Sequence, residues 1–550
     1  MKRIPILLCV FSLISTLSFL GCTQPEESPE PPKVEINPKD TIGSLTRSFA
    51  TEAIPVRGIG LVAGLAGTGS SECPPSVRQG LEKYIWKQVG SVNPRALIDS
   101  LDTAVVEISG VIPAFSSTLE PFDVVLRPLS STQTTSLDGG YLYTAQLKEL
   151  SRLTNVEAFV RFSKILATVD GPVYTQTVDS SQHKWFVLGG GRAKQDNTAK
   201  LILNAPDFAA TSAIRNRINE RFGPKTATAV STAEITLAFP AAYFGKRDRF
   251  LKIVESLILA ENPDLQSEYA QELIAKITSK SEDIESAEIA LEGIGKPGLD
   301  SLAPLLNHPD PTVQFHIARC MMNIGDSRSL AVLRLIIANE KSPYRVEAIR
   351  TVGQSAKRRD ALPILTNVLN TSHIQSRLEA YEMLVTLNTS AVSRRSVANG
   401  AFAVDSVLTP GPKMIYVYRQ QAPKIVIFGA PLHCKDNTFV QSEDRTVTIN
   451  SLPDSKYISV SRKHPSRHRV LGPLLSSYEL SSLIQTLGEL PDVKESSATQ
   501  PGLAVPYAEI IRILETMCTQ GAIPAQFFAG SEPAVLSPEP ERVLQDSPSN

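Results

Sequence analysis

A chain of 550 residues, 42% hydrophobic and 20% charged, is too long for one core, and two to four soluble domains are expected. Its 55 basic and 56 acidic residues give a formal net charge of −1. Without Lys2 and Arg3 of an N-terminal leader the charge becomes −3, so the basic footprint that nucleic-acid binding leaves is excluded.

Residues 1–22 read as a secretory leader: Lys2 and Arg3 open it, Ile4 to Leu20 is apolar with scattered serines, and Gly21-Cys22 closes it. The apolar run is short for a bilayer span. Phe19-Leu20-Gly21-Cys22 resembles the lipobox of bacterial lipoproteins, which implies cleavage before Cys22, lipidation of Cys22 and anchoring to the outer membrane. Residues 23–49 begin with TQPEESPEPPKVEINPKD. That run holds too little apolar surface to fold and reads as an extended tether reaching roughly 50 Å. Beyond Cys22 stand Cys73, Cys320, Cys434 and Cys518. An exported compartment permits disulfides and four cysteines allow three connectivities. Cys434 and Cys518, which fall in one C-terminal domain, are the candidate pair.

The stretch Ile54 to Gly69, IPVRGIGLVAGLAGTG, carries five glycines among apolar residues. A phosphate-binding loop needs a lysine where Gly67-Thr68-Gly69-Ser70 has none. A dinucleotide fingerprint needs a helix opening on the glycines. Helical spacing starts only at Ser76, with Val77, Leu81, Tyr84, Ile85 and Val89. The stretch therefore reads as a close-packed turn in which glycine lets backbones approach. Strands are predicted over 104–111 and 123–127. Asp207 is placed to cap a helix with the stripe Ala210, Ile214, Ile218 and Phe222, which Gly223-Pro224 stops; Ile235, Leu237 and Phe239 then alternate on a strand.

GIGLVAGLAGTG resembles the N-terminal signature of the bacterial flagellar P-ring protein family. Later stretches keep that family's order and spacing: Ile112-Pro113-Ala114-Phe115, then Pro121-Phe122-Asp123-Val124, then Ser136-Leu137-Asp138-Gly139-Gly140, then Pro206-Asp207-Phe208 ahead of its helix. Glu509 to Gln526 resembles the family's end. The resemblance covers residues 50–260 and 400–529. It implies α/β domains that polymerise into a periplasmic ring around the flagellar rod. The implied partners are other copies of the chain, the rod, outer-membrane ring proteins and peptidoglycan.

Between these blocks, residues 281–390 turn helical. Ala287, Ala318, Ala348 and Ala380 lie 31, 30 and 32 residues apart, and Gly295, Gly325 and Gly353 follow three of them. A period near 30 with paired helices reads as an α-solenoid and resembles short HEAT-type repeats. It is expected to be a docking arm that the flanking blocks fold without. After residue 400 come strands at Lys424–Gly429 and Thr446–Asn450. A capping box, Ser476-x-x-Glu479, precedes Leu480, Leu483, Ile484 and Leu487, and a last helix over Tyr507–Gln520 carries the stripe Ile510, Ile513, Leu514 and Met517. Residues 530–550 read as a disordered tail. The expected fold class is α+β: mixed strand and helix, ring-forming domains interrupted by an all-α, HEAT-like solenoid.

No GxSxG, HExxH or EF-hand loop occurs. His464 and His468, with His433 and Cys434, could form a zinc site, but Pro465 keeps the first two off one helix face. Arg462, Lys463, Arg467 and Arg469 read as a solvated basic loop, or as a patch for anionic cell-wall polymer or lipid headgroups. No catalytic, cofactor or metal residue is assigned. The expected function is that of a non-enzymatic ring subunit of the flagellar basal body. The alternative is a HEAT-repeat lipoprotein acting as adaptor in another envelope complex. A closed ring needs a heterologous contact. Gly58, Gly60, Leu61, Leu65 and Gly67 are the candidates for one side of it, against the alternative that Leu61 and Leu65 are core.

Overall fold

The computed structural model describes residues 37, 40–49, 53–89, 93–149, 164–179, 182–196, 198–259, 262–279, 283–463, 470–491 and 502–533. The leader with Cys22, most of the tether, residues 464–469 and the tail from residue 534 lie outside the described residues.

Alternating apolar residues make the strands of a closed barrel. Its order is Pro121–Pro128, Thr103–Ile112, Ile54–Ala63, Tyr141–Glu149, Ile165–Pro172 and Gln182–Ala193, and the last pairs back with the first. Every pair is antiparallel. Closure leaves no free sheet edge around the ring. Val56, Val62, Val106, Ile108, Leu142 and Leu147 belong to the interior cluster. Outside, helix Pro75–Val89 sets Val77, Leu81 and Ile85 against Leu61 and Val105. The stretch expected as a turn is therefore mostly strand: only Gly64 to Gly69 turns, with Gly64 and Gly67 at φ 82° and 78°.

A second layer follows. Thr46–Phe49, Ala199–Leu203, Glu234–Leu237 and Ala227–Ala229 form an antiparallel sheet, packed by helices Phe208–Phe222 and Arg247–Ser256. Asp207 caps the first helix as expected, its carboxylate accepting from the Ala210 N–H at 2.7 Å. Ala210, Ile214 and Ile218 are buried, and Gly223 ends the helix at φ 105°.

The helical block begins earlier than residue 281, with Pro263–Thr278. It continues through Ile284–Ile294, Pro311–Ile324, Leu330–Ala338, Arg345–Ser355, Arg358–Val368 and Ile374–Thr386. The four helices that carry the repeated alanines pack in succession, each on the next. Ala287, Ala318, Ala348 and Ala380 are at most 3% exposed, so the small side chain sits where helices press together.

The C-terminal block is a five-stranded mixed sheet ordered Val392–Val397, Phe402–Val407, Lys424–Phe428, Met414–Tyr418 and Gln526–Ala529. Phe402, Val404, Ile415, Val417, Ile425 and Ile427 pack in the cluster with helices Leu480–Gly488 and Tyr507–Thr519. An antiparallel meander from Phe439 to Ser476 completes that cluster. Ile510, Ile513, Leu514 and Met517 are all buried, as their spacing predicts. The capping box does not form. Ser476 ends a strand, and Glu479 occupies the N-cap position itself, where its carboxylate accepts from the Ser481 hydroxyl.

The other face of this sheet overturns the docking-arm expectation. Val407, Met414, Val426 and Phe428 share one core with the helical block. The Tyr381 ring meets Phe428 edge-on at 5.8 Å and its hydroxyl donates to the buried Asp405. The Arg377 guanidinium lies 4.8 Å over Phe428 and donates to the Pro412 carbonyl at 2.7 Å. Lys424 pairs with Glu382 at 2.9 Å. Deleting the helices would expose a whole sheet face, and each large apolar side chain uncovered costs about 1.5–3 kcal/mol. A chain joined from Ala260 to Asn399 through a short Gly/Ser linker should aggregate or melt without a cooperative transition by circular dichroism. A soluble, cooperatively folding deletion would show that the two cores are independent.

Candidate functional site

The glycine strand is one of the six strands of the barrel wall, paired on both sides. Residues of even number point into the bore. A Cβ on Gly58 would stand 2.4 Å from the Gln146 carbonyl oxygen, and one on Gly60 would stand 2.8 Å from Ile108 Cδ1 and 2.9 Å from Leu142 Cδ1. Neither distance is tolerable, so both positions require glycine. Leu61, on the outer face, is covered by helix Pro75–Val89, and Leu65 closes one end of the interior cluster; each is 1% exposed. Gly67 sits in the turn, where its N–H donates to the Asp102 carboxylate at 3.0 Å and open space surrounds its Cα. Gly58, Gly60, Leu61 and Leu65 therefore serve the interior of this chain, and their side-chain positions are not open to a neighbour. Gly67 alone of the five faces open space.

A second constellation escaped the sequence analysis. Glu288 and Glu292, on helix Ile284–Ile294, are fully buried. Arg249, from the last helix of the preceding sheet layer, reaches them at 2.6 and 2.7 Å. Arg319 clamps Glu288 with two N–H groups at 2.8 and 2.6 Å, and His316 Nδ1 lies 2.6 Å from it. Asn323 donates to Glu292 at 3.0 Å, and Ser355 donates to Asn323 at 2.6 Å. The links Arg319–Glu288, Asn323–Glu292 and Ser355–Asn323 join residues 31, 31 and 32 apart, so the polar ladder keeps the period of the alanines. Lys246 Nζ ends the ladder at Ser355, 3.0 Å away. Arg221 donates to the Glu292 and Gly293 carbonyls at 2.8 and 2.9 Å, satisfying the last turn of that helix. The recurrence of Glu, Arg and Asn one repeat apart was the signal that could have found this cluster.

Burial alone would push the Glu288 carboxyl up; the His316 hydrogen bond with Arg249 and Arg319 overcomes it and holds the group at about 2. Burial opposes the charge on Arg249 too, yet Glu288 and Glu292 raise its pKa. The arrangement fixes the helical block on the layer before it.

Cys434 and Cys518 are free thiols in the same core cluster. Burial pushes the first up to about 12 and the second up to about 11, so neither is a ready thiolate. Arg462 is not part of a solvated loop. It lies in strand Ile458–Lys463 and donates to the Leu503 and Ala504 carbonyls. His464, His468, Arg467 and Arg469 lie outside the described residues, and among the described residues no group of three or more His, Cys, Asp or Glu could hold a metal ion.

The model of the family described as flagellar P-ring protein matches residues 42–185 and 190–266. The chain is 28% identical over 220 residues to "Flagellar P-ring protein 1" of Hahella chejuensis, covering 36% of this chain and 55% of that one. It is 27% identical over 208 residues to the flagellar P-ring protein of Thermotoga maritima, covering 36% and 61%. It is 27% identical over 235 residues to that of Sodalis glossinidius, covering 41% and 63%. The match thus spans somewhat over half the length of these relatives, and residues 267–550 lie outside the family match.

Two sets of substitutions test these sites. Gly60→Val should lower stability by about 1–3 kcal/mol or prevent folding, through overpacking of the bore. Leu65→Asp should unfold the barrel, since it buries an unpaired charge. A folded Leu65→Asp protein by circular dichroism would contradict its burial. Glu288→Ala should cost about 3–5 kcal/mol in urea denaturation at neutral pH, because Arg249 and Arg319 lose their partner in a buried site. The folded value of Glu288, about 2, lies below its ordinary value of 4.5, so its contribution is complete above pH 4.5 and is lost as pH falls toward 2. Stability of the unsubstituted protein should fall more steeply through that window than stability of Glu288→Ala; equal slopes would assign the acid sensitivity elsewhere.

Proposed function

We propose that this chain, whose residues 42–185 and 190–266 match the flagellar P-ring family model, is a non-enzymatic structural subunit of the periplasmic ring that surrounds the flagellar rod. The extent of the match carries the proposal: residues 42–185 and 190–266 take in almost all of the closed barrel and the whole sheet layer with its two helices. Assembly then works through outer faces. The heterologous contact between copies falls to exposed apolar residues of the matched region, among them Trp86, Leu119, Phe208 and Phe244, and not to the buried glycine strand. The helical block, read as a HEAT-like stack, and the C-terminal sheet behind it extend the subunit and offer an added surface to other basal-body components. Lipidation at Cys22 would hold the subunit at the outer membrane. The second reading, an adaptor of another envelope complex, rests on these added parts lying outside the family match.

Electron cryotomography of motors with and without the gene distinguishes the two. Loss of periplasmic ring density together with loss of swimming is expected; intact rings and intact swimming would leave the adaptor. A Cys22→Ala variant should lose labelling by a clickable fatty acid, and retained labelling would refute lipidation at that residue.

A further inference from the structure

Among the described residues most sheet edges are guarded against pairing with another chain. Thr46–Phe49, Gln526–Ala529, Ala227–Ala229 and Phe439–Gln441 are four residues long or shorter. Val470–Ser476 carries Pro473 and a shift in its pairing register. Tyr174–Asp179, beside the barrel, packs against helix Tyr507–Thr519, with the Tyr174 and Tyr507 rings 6.3 Å apart. Strand Val392–Val397 has none of these protections. It runs six residues without proline, keeps an unbroken register with Phe402–Val407, and has no strand on its outer side. Ser393, Arg394, Arg395 and Ser396 are exposed.

The pairing fixes which main-chain groups face out. The Leu408 N–H donates to the Ala391 carbonyl at 3.0 Å, so residues 393, 395 and 397 bond to the neighbouring strand. Residues of even number turn their groups the other way. The Thr389 carbonyl takes the Val392 N–H at 3.4 Å. The Val392 carbonyl and the N–H and C=O of Arg394 and of Ser396 are left facing solvent at strand spacing. The charge along this edge is one-sided. Asp405 holds Arg394, but Arg395 donates to the Gln485 side chain at 2.9 Å, and Arg358, just ahead of the strand, to the Asn388 carbonyl at 3.1 Å. Neither of those two partners is a carboxylate. Glu489, past the far end of the strand, accepts from the Ala398 N–H at 3.3 Å. An edge guarded by arginines alone repels its own copy, because self-pairing sets cation against cation, and it accepts an acidic strand.

We propose that strand Val392–Val397 is a docking edge for an extended acidic segment of a partner protein, which adds to the five-stranded sheet as a further strand. Main-chain bonds to Arg394 and Ser396 hold the segment, and Arg395 and Arg358 select its carboxylates. The strand lies outside the family match, so the docking does not depend on the ring assignment.

The test uses the full chain and the synthetic peptide EEVTVEE. Residue-resolved amide hydrogen exchange should slow roughly tenfold at Arg394 and Ser396 with peptide present, and change little at residues 393, 395 and 397. By fluorescence anisotropy of labelled peptide, Ser396→Pro should weaken binding roughly tenfold, since it deletes an N–H that points away from the rest of the sheet. Arg395→Glu should weaken it by a similar factor, and added salt should weaken it further. Circular dichroism should stay unchanged in both variants. Peptide binding that ignores Ser396→Pro would reduce the strand to a patch of cations for any polyanion and overturn the proposal. Unchanged exchange at about 1 mM peptide would overturn it too, as would sedimentation showing that Ser396→Pro dissociates a dimer, which would give the edge to a second copy.

Discussion

Six strands enclose a bore too narrow for a full set of side chains, and one of the six must face it bare at two positions. That constraint falls on Ile54–Ala63. With glycine at 58 and 60, the Gln146 backbone and the Ile108 and Leu142 methyls can close over the strand. Pairing on both sides then satisfies its backbone. The same strand turns Leu61 outward, where it anchors helix Pro75–Val89. A close-packed interior and an outer helix thus both depend on the absence of two side chains.

From the barrel the cores run on without a break. The sheet layer joins the helical block through Arg249, Glu288 and Glu292; the helical block joins the C-terminal sheet through Phe428, Tyr381 and Arg377. The C-terminal block in turn closes back on the barrel. The Asp123 carboxylate accepts from the Gly189 and Gln421 N–H groups, each at 2.7 Å, and Tyr174 and Phe186 enter the C-terminal core cluster. Burial raises the Asp123 pKa, and those two N–H bonds counter it. The chain is a circuit of packed units.

The polar seam between sheet layer and helices is a specifying device more than a stabilising one. Burying four charges is costly, and well-packed apolar residues could stabilise the same seam as well. What the ions impose is register: each link advances by one repeat, so a slip of one helix along another would leave Glu288 facing no cation. One carboxylate oxygen of Glu292 is buried without a hydrogen-bond partner, and the attraction of Arg249 at 2.7 Å offsets that loss.

Local signals were enough for much of this. The caps at Asp207 and Gly223, the stripes of the helices at 208–222 and 507–519, and the period of the alanines were legible because each is set by residues within a turn or two, or by a repeat that recurs. The family likeness of the first half was legible for the same reason, since it rests on short stretches in a fixed order. Three features were decided only by tertiary structure. The glycine stretch is a strand and not a turn because partners from residues 103–112 and 141–149 close around it, and no local rule carries that information. The helical block is part of the core because one face of a sheet that comes after it in sequence needs cover. The buried ions are stable because Arg249, Glu288 and Arg319, far apart along the chain, meet where water is excluded, and only that exclusion turns scattered surface-type residues into one fixed cluster.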